Sequence, residues 1–348
     1  MPKKHIIPIF VPHLGCPNDC VFCTQRAISG KQQPATADTV KYEIEKALPH
    51  IKSAEPCEAA FYGGSFTAID EAEQNALLSA VQPYIRESRI NEIRLSTRPD
   101  CITDGCVERL LSYNVKTIEL GVQSLDDEVL RLAGRGHTAD DGENAVKIIK
   151  KYDVNLILQM MTGLPGDSGD ETVKTAEKII SLKPDGVRIY PTVIVKDTRL
   201  YDMWKSGRYR EHTVEDAAEI CSRIVPMFQK AHIPIIRLGL NPTEDLSGGG
   251  AVGGAYHPAL GQLVRSRIYR NAAENMLLSE YGDNMPLSAH FLVPKGEISS
   301  FIGQKRCNAE YFREKYGVNR IKVTEDEKLS REMGEISVLA VDFLSETC

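Results

Sequence analysis

The sequence has little that would anchor the chain in a membrane or hold it together with disulfide bonds. None of its 348 residues belongs to a segment approaching the roughly 18 unbroken apolar residues of a membrane span, so no membrane partner is expected. The N-terminal stretch MPKKHIIPIFVPHLG lacks the long apolar core of an export signal and contains two prolines. Nine cysteines are an odd number, which argues against a disulfide framework. These absences predict a cytoplasmic protein with reduced thiols.

An overall excess of positive charge is also absent, because the net charge is −6. The charge is nevertheless distributed unevenly. Between Lys295 and Val323, seven Lys or Arg residues accompany three Glu residues, so this segment carries +4 and the remainder −10. Such asymmetry indicates contact with a polyanion near the C-terminus.

Short apolar runs alternate with amphipathic stretches over residues 5 to 190. The strand-like runs are HIIPIFV, CEAAFY, EIRLS, VKTIELGV, VNLILQMM and GVRIYP. Several intervening stretches begin with a residue suited to an N-cap, such as Thr36, Asp70 and Thr138. Repeated βα units imply a parallel sheet with right-handed crossovers. The predicted fold is α/β, a partial (β/α)6 barrel, with a doubly wound sheet as the alternative; in both, ligands gather at the carboxyl ends of the strands.

Composition divides the chain into two predicted domains. Residues 1–246 form the barrel with a helical extension, and residues 247–258 form a linker that includes the glycine-rich SGGGAVGG. Residues 259–348 form a small α+β domain. This C-terminal domain begins with a helix at about 259–281.

Three cysteines crowd into CPNDCVFC, directly after the first predicted strand. Cys16, Cys20 and Cys23 have the spacing Cys-x3-Cys-x2-Cys. A structural zinc site would need a fourth ligand, usually from a second Cys-x2-Cys or His pair, and no such pair is present. A redox pair would use only the last two cysteines. Three thiolates on one loop suit a 4Fe-4S cluster with one iron left open.

This spacing, with Phe22 before the last cysteine, resembles the signature of radical S-adenosylmethionine (radical SAM) enzymes. The resemblance implies a 4Fe-4S cluster and S-adenosylmethionine as cofactors, and reductive cleavage of S-adenosylmethionine to a 5′-deoxyadenosyl radical. FYGGSFT follows the second strand, where that superfamily has its glycine-rich turn. By resemblance, Gly63, Gly64 and Ser65 contact S-adenosylmethionine, and the two glycines allow its amine to approach the backbone closely.

The match is closer to one branch, the radical domain of the Elongator complex catalytic subunit, over about residues 5–240. The motifs that carry it are LSTRPDCI, ELGVQSLDDEVL, GRGHT, QMMTGLPGD and PDGVRIYPTVIVKDTRLYDMWKSGRY. More distantly, the chain resembles oxygen-independent coproporphyrinogen oxidase. The resemblance assigns Ser96, Gln123, Arg135 and Gln159 to S-adenosylmethionine contacts and places Tyr190 near the adenine.

Two features depart from the Elongator pattern. The Elongator subunit separates its first two cluster cysteines much further than this chain does. It also carries an acetyltransferase domain, for which the residues after the linker are too few, and no acetyl-CoA pyrophosphate loop is visible. These departures leave open whether acetyl-CoA is used.

The C-terminal segment at 289–326 predicts strand, short helix, turn, longer helix and strand. This order resembles the K-homology core, in which a Gly-x-x-Gly turn clamps a nucleic-acid backbone. In the turn GQKR at 303–306, arginine replaces the second glycine, and Lys305 and Arg306 are candidate RNA contacts. The alternative is a small cap with a solvated basic face. Tyr256 and His257, before the helix at 259–281, are candidate catalytic residues that could close the barrel mouth, although a surface loop with a satisfied histidine is the alternative.

The sequence favours radical modification of RNA, plausibly a tRNA base, with an electron donor such as ferredoxin or flavodoxin. One alternative is a radical enzyme acting on a small metabolite or peptide, with the C-terminal segment as a lid. Another is an iron–sulfur RNA-binding or sensor protein without turnover.

Overall fold

The chain folds into two compact units. The computed structural model describes residues 4–11, 16, 20–23, 35–51, 55–240, 246–329 and 337–340. The first unit contains Met1–His212 and Ile233–Tyr256, and the second contains Thr213–His232 and His257–Cys348. This division differs from the predicted domains, because one helix that was predicted to extend the barrel groups with the C-terminal residues.

The first unit is built on a parallel sheet of seven strands. The strands of this sheet, in spatial order, are β1 (His5–Phe10), β2 (Cys57–Tyr62), β3 (Glu92–Thr97), β4 (Val115–Gln123), β5 (Asn155–Thr162), β6 (Gly186–Pro191) and β8 (Ile235–Leu238). The short strand β7 (Val193–Val195) lies between β6 and β8 in the chain but does not belong to this sheet. All six neighbouring pairs are parallel. The sheet confirms the predicted α/β half-barrel and adds one strand, β8, to the six expected.

Within the described residues, seven helices accompany this sheet, and three of them begin at the predicted caps. They are α1 (Ala37–Ala47), α2 (Glu71–Arg86), α3 (Asp104–Ser112), α4 (Asp127–Leu132), α5 (Ala139–Ile149), α6 (Asp170–Leu182) and α7 (Arg199–Lys205). The side chains of Thr36, Asp70 and Thr138 each accept a hydrogen bond from a backbone N–H of the first helical turn. Thr138 forms a full capping box with Asp141. No helix in the described residues is both long and apolar enough to cross a membrane.

The glycine-rich stretch is ordered where it was predicted to be a linker. Residues Ala251–Gly254 form strand β9, which pairs antiparallel with β7. A Cβ at Gly254 would lie 2.7 Å from the carbonyl oxygen of Thr192, and its φ is +81°, so only glycine fits this close pairing. Four residues of the predicted linker at 247–258 therefore belong to a strand.

The second unit combines two long helices with a small mixed sheet. Its elements are α8 (Val214–Lys230), α9 (Leu260–Tyr281), β10 (Ser288–Val293), α10 (Ile298–Ile302), α11 (Cys307–Tyr316), β11 (Arg320–Glu325) and β12 (Ser337–Ala340). Strand β10 is central, parallel to β11 and antiparallel to β12. The order strand, short helix, turn, helix, strand over β10 to β11 agrees with the prediction. Helix α8 joins this unit because it is amphipathic and bonds to α9, for example through Asn271 Nδ2, which donates to Ser222 Oγ at 3.0 Å.

An aromatic core holds the second unit together. Phe291 and Phe301 are buried with ring centroids 4.9 Å apart, and Phe312 is buried beside them. At the edge of this core, Glu274 accepts hydrogen bonds from Tyr311 Oη at 2.6 Å, Lys315 Nζ at 2.8 Å and Tyr316 Oη. Although burial raises the pKa of Glu274, these hydrogen bonds and the Lys315 charge lower it to about 2.

Candidate functional site

The cysteine loop is anchored on two elements of the first unit. Val21 N–H donates to the carbonyl of Ala133, at the end of α4, at 2.9 Å, and Leu200 N–H in α7 donates to the carbonyl of Val21 at 2.7 Å. The Val21 side chain is buried against Leu200 and Tyr209, and Phe22 packs beside them. Residues 20–23 are therefore fixed at the carboxyl end of the sheet, where the prediction placed the site.

One cavity of about 420 Å³ collects most of the predicted site residues. The predicted residues that line it are Cys16, Cys20, Cys23, Gly64, Ser65, Ser96, Gln123, Arg135 and Gln159. Two other predicted residues, Gly63 and Tyr190, lie outside this lining. Gly63 instead serves the turn itself with φ of 97°, and the hydroxyl of Tyr190 accepts a hydrogen bond from Arg188 Nη1 at 3.4 Å.

The three thiols have the chemistry of iron–sulfur ligands. Cys16 is exposed, and Cys20 and Cys23 are half-buried. Thiolates are the ligands of iron–sulfur clusters, so this donor set fits such a group. In the described part of the chain, no three His, Cys, Asp or Glu side chains are already gathered as a metal site.

Two other cysteines have a different environment. Burial raises the pKa of the Cys57 thiol to about 11, with a smaller effect from the Glu58 charge, and raises that of Cys221 to about 12. Both thiols therefore stay protonated at neutral pH and behave as small apolar core residues.

Arg135 connects the cysteine loop to strand β4. Its Nη1 donates to the Cys20 sulfur at 3.2 Å, and its Nη2 donates to the carbonyl of Gly121 at 2.7 Å. Arg98 Nη2 in turn donates to the carbonyl of Arg135 at 2.8 Å and fixes the backbone there. A positive charge is thus held against one sulfur of the candidate cluster.

Gln123 offers the cavity an acceptor that the protein does not use. Its φ is +63°, an uncommon conformation for a residue other than glycine, Asn or Asp. Its Oε1 is buried, and no described residue hydrogen-bonds to it. An orphaned buried oxygen is costly unless a ligand satisfies it, so this atom fits a ligand that carries hydrogen-bond donors.

The glycine turn is tied to the end of β3 by hydroxyl groups. Ser65 Oγ accepts a hydrogen bond from Arg98 N–H at 3.1 Å and lies 3.1 Å from Thr97 Oγ1. Thr67 Oγ1 lies 2.6 Å from the same Thr97 oxygen. This network holds the backbone after β2 against the cavity.

His137 is buried behind Arg135 and is uncharged. Burial, followed by the charges of Arg135 and Arg98, lowers the pKa of His137 to about 4. Its Nε2 lies 3.3 Å from the carbonyl of Val122. The side chain is therefore a neutral packing group at pH 7.

Tyr256 and His257, the two candidate catalytic residues, each contact residues of their own unit. Tyr256 packs beside Val193 and Val195 in the first unit and is not among the residues that line the cavity. His257 belongs to the second unit, where its Nδ1 accepts a hydrogen bond from Ala259 N–H at 3.1 Å, just before α9. A catalytic role for either residue stays a prediction.

Sequence reasoning missed several residues of the cavity wall. These are Thr97, Arg98, Gly121, Asp197, Thr198 and Arg199. All lie within motifs that the sequence singled out, and Thr97 and Arg98 stand at the carboxyl end of β3. Applying the strand-end rule to every strand would have found those two.

The RNA candidates lie on a turn of the second unit. Lys305 and Arg306 are exposed between α10 and α11, and both have left-handed backbone conformations, with φ of 52° and 63°. Gly303 opens this turn with φ of 78°. The turn thus presents two adjacent cations to solvent.

Known proteins resemble this chain in sequence and fold. The chain is 30% identical over 258 residues to a tRNA uridine(34) acetyltransferase of Methanocaldococcus infernus, covering 62% of this chain and 48% of that protein. It is 26% identical over 224 residues to Elongator complex protein 3 of Mus musculus, covering 59% and 41%. The chain spans about half the length, or less, of these curated relatives.

A solved structure shares the fold. The archaeal Methanocaldococcus infernus Elp3 with an N-terminal deletion (1–46) superposes with a TM-score of 0.60 at 22% identity, covering 80% of this chain and 64% of that one. Residues 10–179 match the model of the Radical SAM superfamily, and residues 184–270 match that of the Radical_SAM C-terminal domain. With the cysteine loop at the carboxyl edge of a parallel half-barrel, these matches establish that the chain belongs to the radical SAM superfamily.

Proposed function

We propose that the chain is a radical SAM enzyme that modifies a tRNA base. The observation that supports this most directly is the cavity at the carboxyl edge of the half-barrel. It brings three thiols, the glycine turn and the polar ends of β3, β4 and β5 together. A 4Fe-4S cluster and S-adenosylmethionine are the cofactors of the superfamily, and when bound they supply radical hydrogen abstraction.

In this proposal the residues of the cavity bind and orient the two cofactors. Cys16, Cys20 and Cys23 hold the cluster and leave one iron for S-adenosylmethionine. The oxygens of Gln123 and Gln159 accept hydrogen bonds from the donors of S-adenosylmethionine. The hydroxyls of Ser65 and Ser96 and the backbone at Gly63 and Gly64 complete its polar surroundings, with Tyr190 nearer the adenine.

Iron content tests the cluster assignment without relying on turnover. Cys20→Ala should lose most of the bound iron and sulfide after anaerobic reconstitution, because one of three ligands is gone. Cys307→Ala is the matched control, since it removes a thiol of the second unit, away from the cavity. Equal iron content in the two variants would contradict the assignment.

The tRNA substrate rests on the names of the relatives and on the charge of the second unit. The curated relatives are named tRNA uridine(34) acetyltransferase or Elongator complex protein 3. In the proposal, Lys305 and Arg306 contact phosphates of the RNA, and the turn between α10 and α11 serves as the clamp. An electron donor such as ferredoxin or flavodoxin supplies the reducing electron.

The salt dependence of RNA binding tests this contact. The slope of log affinity against log salt falls by about 0.7 to 0.9 for each phosphate contact removed. Lys305→Ala with Arg306→Ala should therefore weaken tRNA binding and reduce that slope by about 1.5. Lys295→Ala with Arg313→Ala is the control, because it removes two exposed cations of the same unit outside the turn.

Equal effects of the two double variants would show that binding follows total charge and would contradict the turn as a clamp. If the wild-type chain binds no RNA but cleaves S-adenosylmethionine, the substrate is a small metabolite or peptide instead.

A further inference from the structure

A buried ionic network lies on the strands beneath the cavity. Glu119, on β4, is fully buried, and two arginines bind its carboxylate. Arg94 Nη1 on β3 donates to Glu119 Oε1 at 2.9 Å. On β6, Arg188 Nη2 donates to Glu119 Oε1 at 3.0 Å, and Arg188 Nε lies 2.9 Å from Glu119 Oε2. Tyr62 Oη on β2 lies 3.4 Å from Oε1. One carboxylate thus connects β4 with β2, β3 and β6.

This network reaches the cavity through one side chain, Gln159 on β5. Gln159 Nε2 donates to Glu119 Oε2 at 2.8 Å and lies 3.5 Å from Ser96 Oγ. Gln159 also lines the cavity, whereas Glu119 does not. Glu119 therefore acts on a ligand only through the glutamine.

The carboxylate determines which end of the Gln159 amide faces the ligand. A carboxylate that is bound by two guanidinium groups accepts hydrogen bonds and has none to donate. Only the amide nitrogen of Gln159 can bond to it, so the nitrogen is committed to Glu119. The side chain is left with Oε1, an acceptor, to offer to the cavity.

Gln123 also presents an acceptor oxygen to the cavity. The buried Oε1 of Gln123 has no hydrogen-bond donor among the described residues, as noted above. Two acceptor oxygens on neighbouring strands suit a ligand with ammonium or hydroxyl donors. They do not suit a carboxylate or phosphate at the same place.

We propose that Glu119 is a positioning residue, which fixes the Gln159 amide so that its oxygen accepts a hydrogen bond from an ammonium or hydroxyl group of S-adenosylmethionine. This inference rests on the proposed function, because it takes S-adenosylmethionine as the ligand of the cavity. It assigns the buried network a role in cofactor recognition beyond the stability of the sheet.

Equilibrium binding of S-adenosylmethionine to the anaerobically reconstituted full chain tests the inference. Glu119→Gln supplies an amide that can donate to Gln159 Oε1 and lets the Gln159 nitrogen turn to the cavity. The dissociation constant of this variant for S-adenosylmethionine should rise about tenfold. The reason is that Gln159 then presents its amide nitrogen, a donor, to a donor group of S-adenosylmethionine in place of its acceptor oxygen. Iron content should stay at the wild-type level.

Glu58→Gln is the matched control. Glu58 is equally buried and binds Arg94 Nε at 2.9 Å on the same network, but its bonds are to that arginine and not to Gln159. Its dissociation constant should stay within about twofold of wild type. Equal losses of affinity in Glu119→Gln and Glu58→Gln would overturn the inference and leave the network a structural one.

Two further variants keep the test decisive if Glu119→Gln does not fold. Gln159→Met has a similar volume, leaves Glu119 with both arginines, and should weaken binding by a similar factor. Glu119→Gln combined with Gln159→Glu restores an acceptor at 159 opposite a donor at 119, so affinity should recover to within about threefold of wild type. Wild-type affinity in Gln159→Met, or no recovery in a folded double variant, would overturn the inference.

Failure of the proposed function is distinguishable from failure of this inference. If the part of the proposed function on which the inference rests is wrong, namely S-adenosylmethionine as the ligand of the cavity, the reconstituted wild-type chain itself binds no S-adenosylmethionine. If only the inference is wrong, the wild type binds it and the Glu119 variants follow the Glu58 control.

Discussion

A single methyl group at Gly121 should disturb the cavity without unfolding the chain. A Cβ at this position would lie 2.8 Å from Nε2 of Gln123 and 3.5 Å from Nη2 of Arg135. The first distance is shorter than real Cβ contacts, so Gly121→Ala must push the amide of Gln123 aside. The atom that is met is the end of a side chain and not backbone, so the sheet can accommodate the change.

The expected loss of affinity for S-adenosylmethionine follows from the misplacement of one hydrogen bond. A hydrogen bond contributes about 0.5 to 1.5 kcal/mol. If Gln123 binds S-adenosylmethionine, its displacement should raise the dissociation constant about 2- to 10-fold. Equilibrium dialysis with the anaerobically reconstituted chain measures this change, and thermal unfolding monitors the fold.

Gly105→Ala is the control for that experiment. Gly105 is in α3, and a Cβ there would meet nothing within 4 Å. Affinity for S-adenosylmethionine should be unchanged in this variant. If Gly121→Ala binds as tightly as Gly105→Ala, Gln123 does not contact the cofactor and the reasoning fails.

Three other predictions concern the cluster, acid stability and a tight turn. Arg135→Gln should lower the reduction potential of the reconstituted cluster, because N–H donors and positive charge at a ligand sulfur favour the reduced form. A tenfold change in the redox equilibrium corresponds to about 59 mV, which a redox titration monitored by electron paramagnetic resonance would readily detect. An unchanged or raised potential would show that Arg135 does not act on the cluster. Glu274→Gln should be less stable than wild type at pH 7 by about 1 to 2 kcal/mol in urea unfolding. The folded pKa of Glu274 is depressed to about 2, so its contribution is present above about pH 4.3 and is lost as the pH falls toward 2, a loss that the variant should not show. Gly163→Ala should cost roughly 2 to 5 kcal/mol, because φ is +72° and the new Cβ would lie 2.0 Å from Cγ of His212; wild-type stability would contradict this.

The regular part of the fold follows from local sequence patterns. Alternation of apolar runs and capped amphipathic stretches predicted six of the seven parallel strands and the caps at Thr36, Asp70 and Thr138. Strand β8 escaped because it has only four residues, and one of them, Arg237, turns its guanidinium to the carbonyls of Gly239 and Leu240. Four residues carry too short a pattern to separate a strand from a loop.

Pairing between distant segments could not be predicted from composition. The glycines of SGGGAVGG indicated a linker, yet Ala251–Gly254 pairs with Val193–Val195, and the paired residues are 56 to 61 positions apart in the chain. The same glycines that give flexibility in isolation also allow two backbones to approach closely. Helix α8 was assigned to the barrel for a similar reason, since its packing on α9 depends on residues far along the chain.

The site was predictable where residues stand at strand ends and not where they lie deeper. Cys20 was predicted from the cysteine spacing, and Ser96 and Gln123 were predicted from the family resemblance. All three follow or end strands of the sheet. Glu119 lies within the apolar run VKTIELGV, and the sequence there gives no sign of its partners. Its partner Arg188 is 69 positions away, and only the folded sheet brings the two together.

We propose that this chain uses a cluster held by Cys16, Cys20 and Cys23 to cleave S-adenosylmethionine during tRNA modification. The most direct test is to reconstitute the cluster anaerobically, add a reductant, and quantify 5′-deoxyadenosine with and without tRNA. We expect tRNA to stimulate the cleavage of S-adenosylmethionine. We expect Cys20→Ala to abolish this cleavage while the fold stays intact. A wild-type chain that holds its cluster but forms no 5′-deoxyadenosine, with or without tRNA, would contradict the proposal.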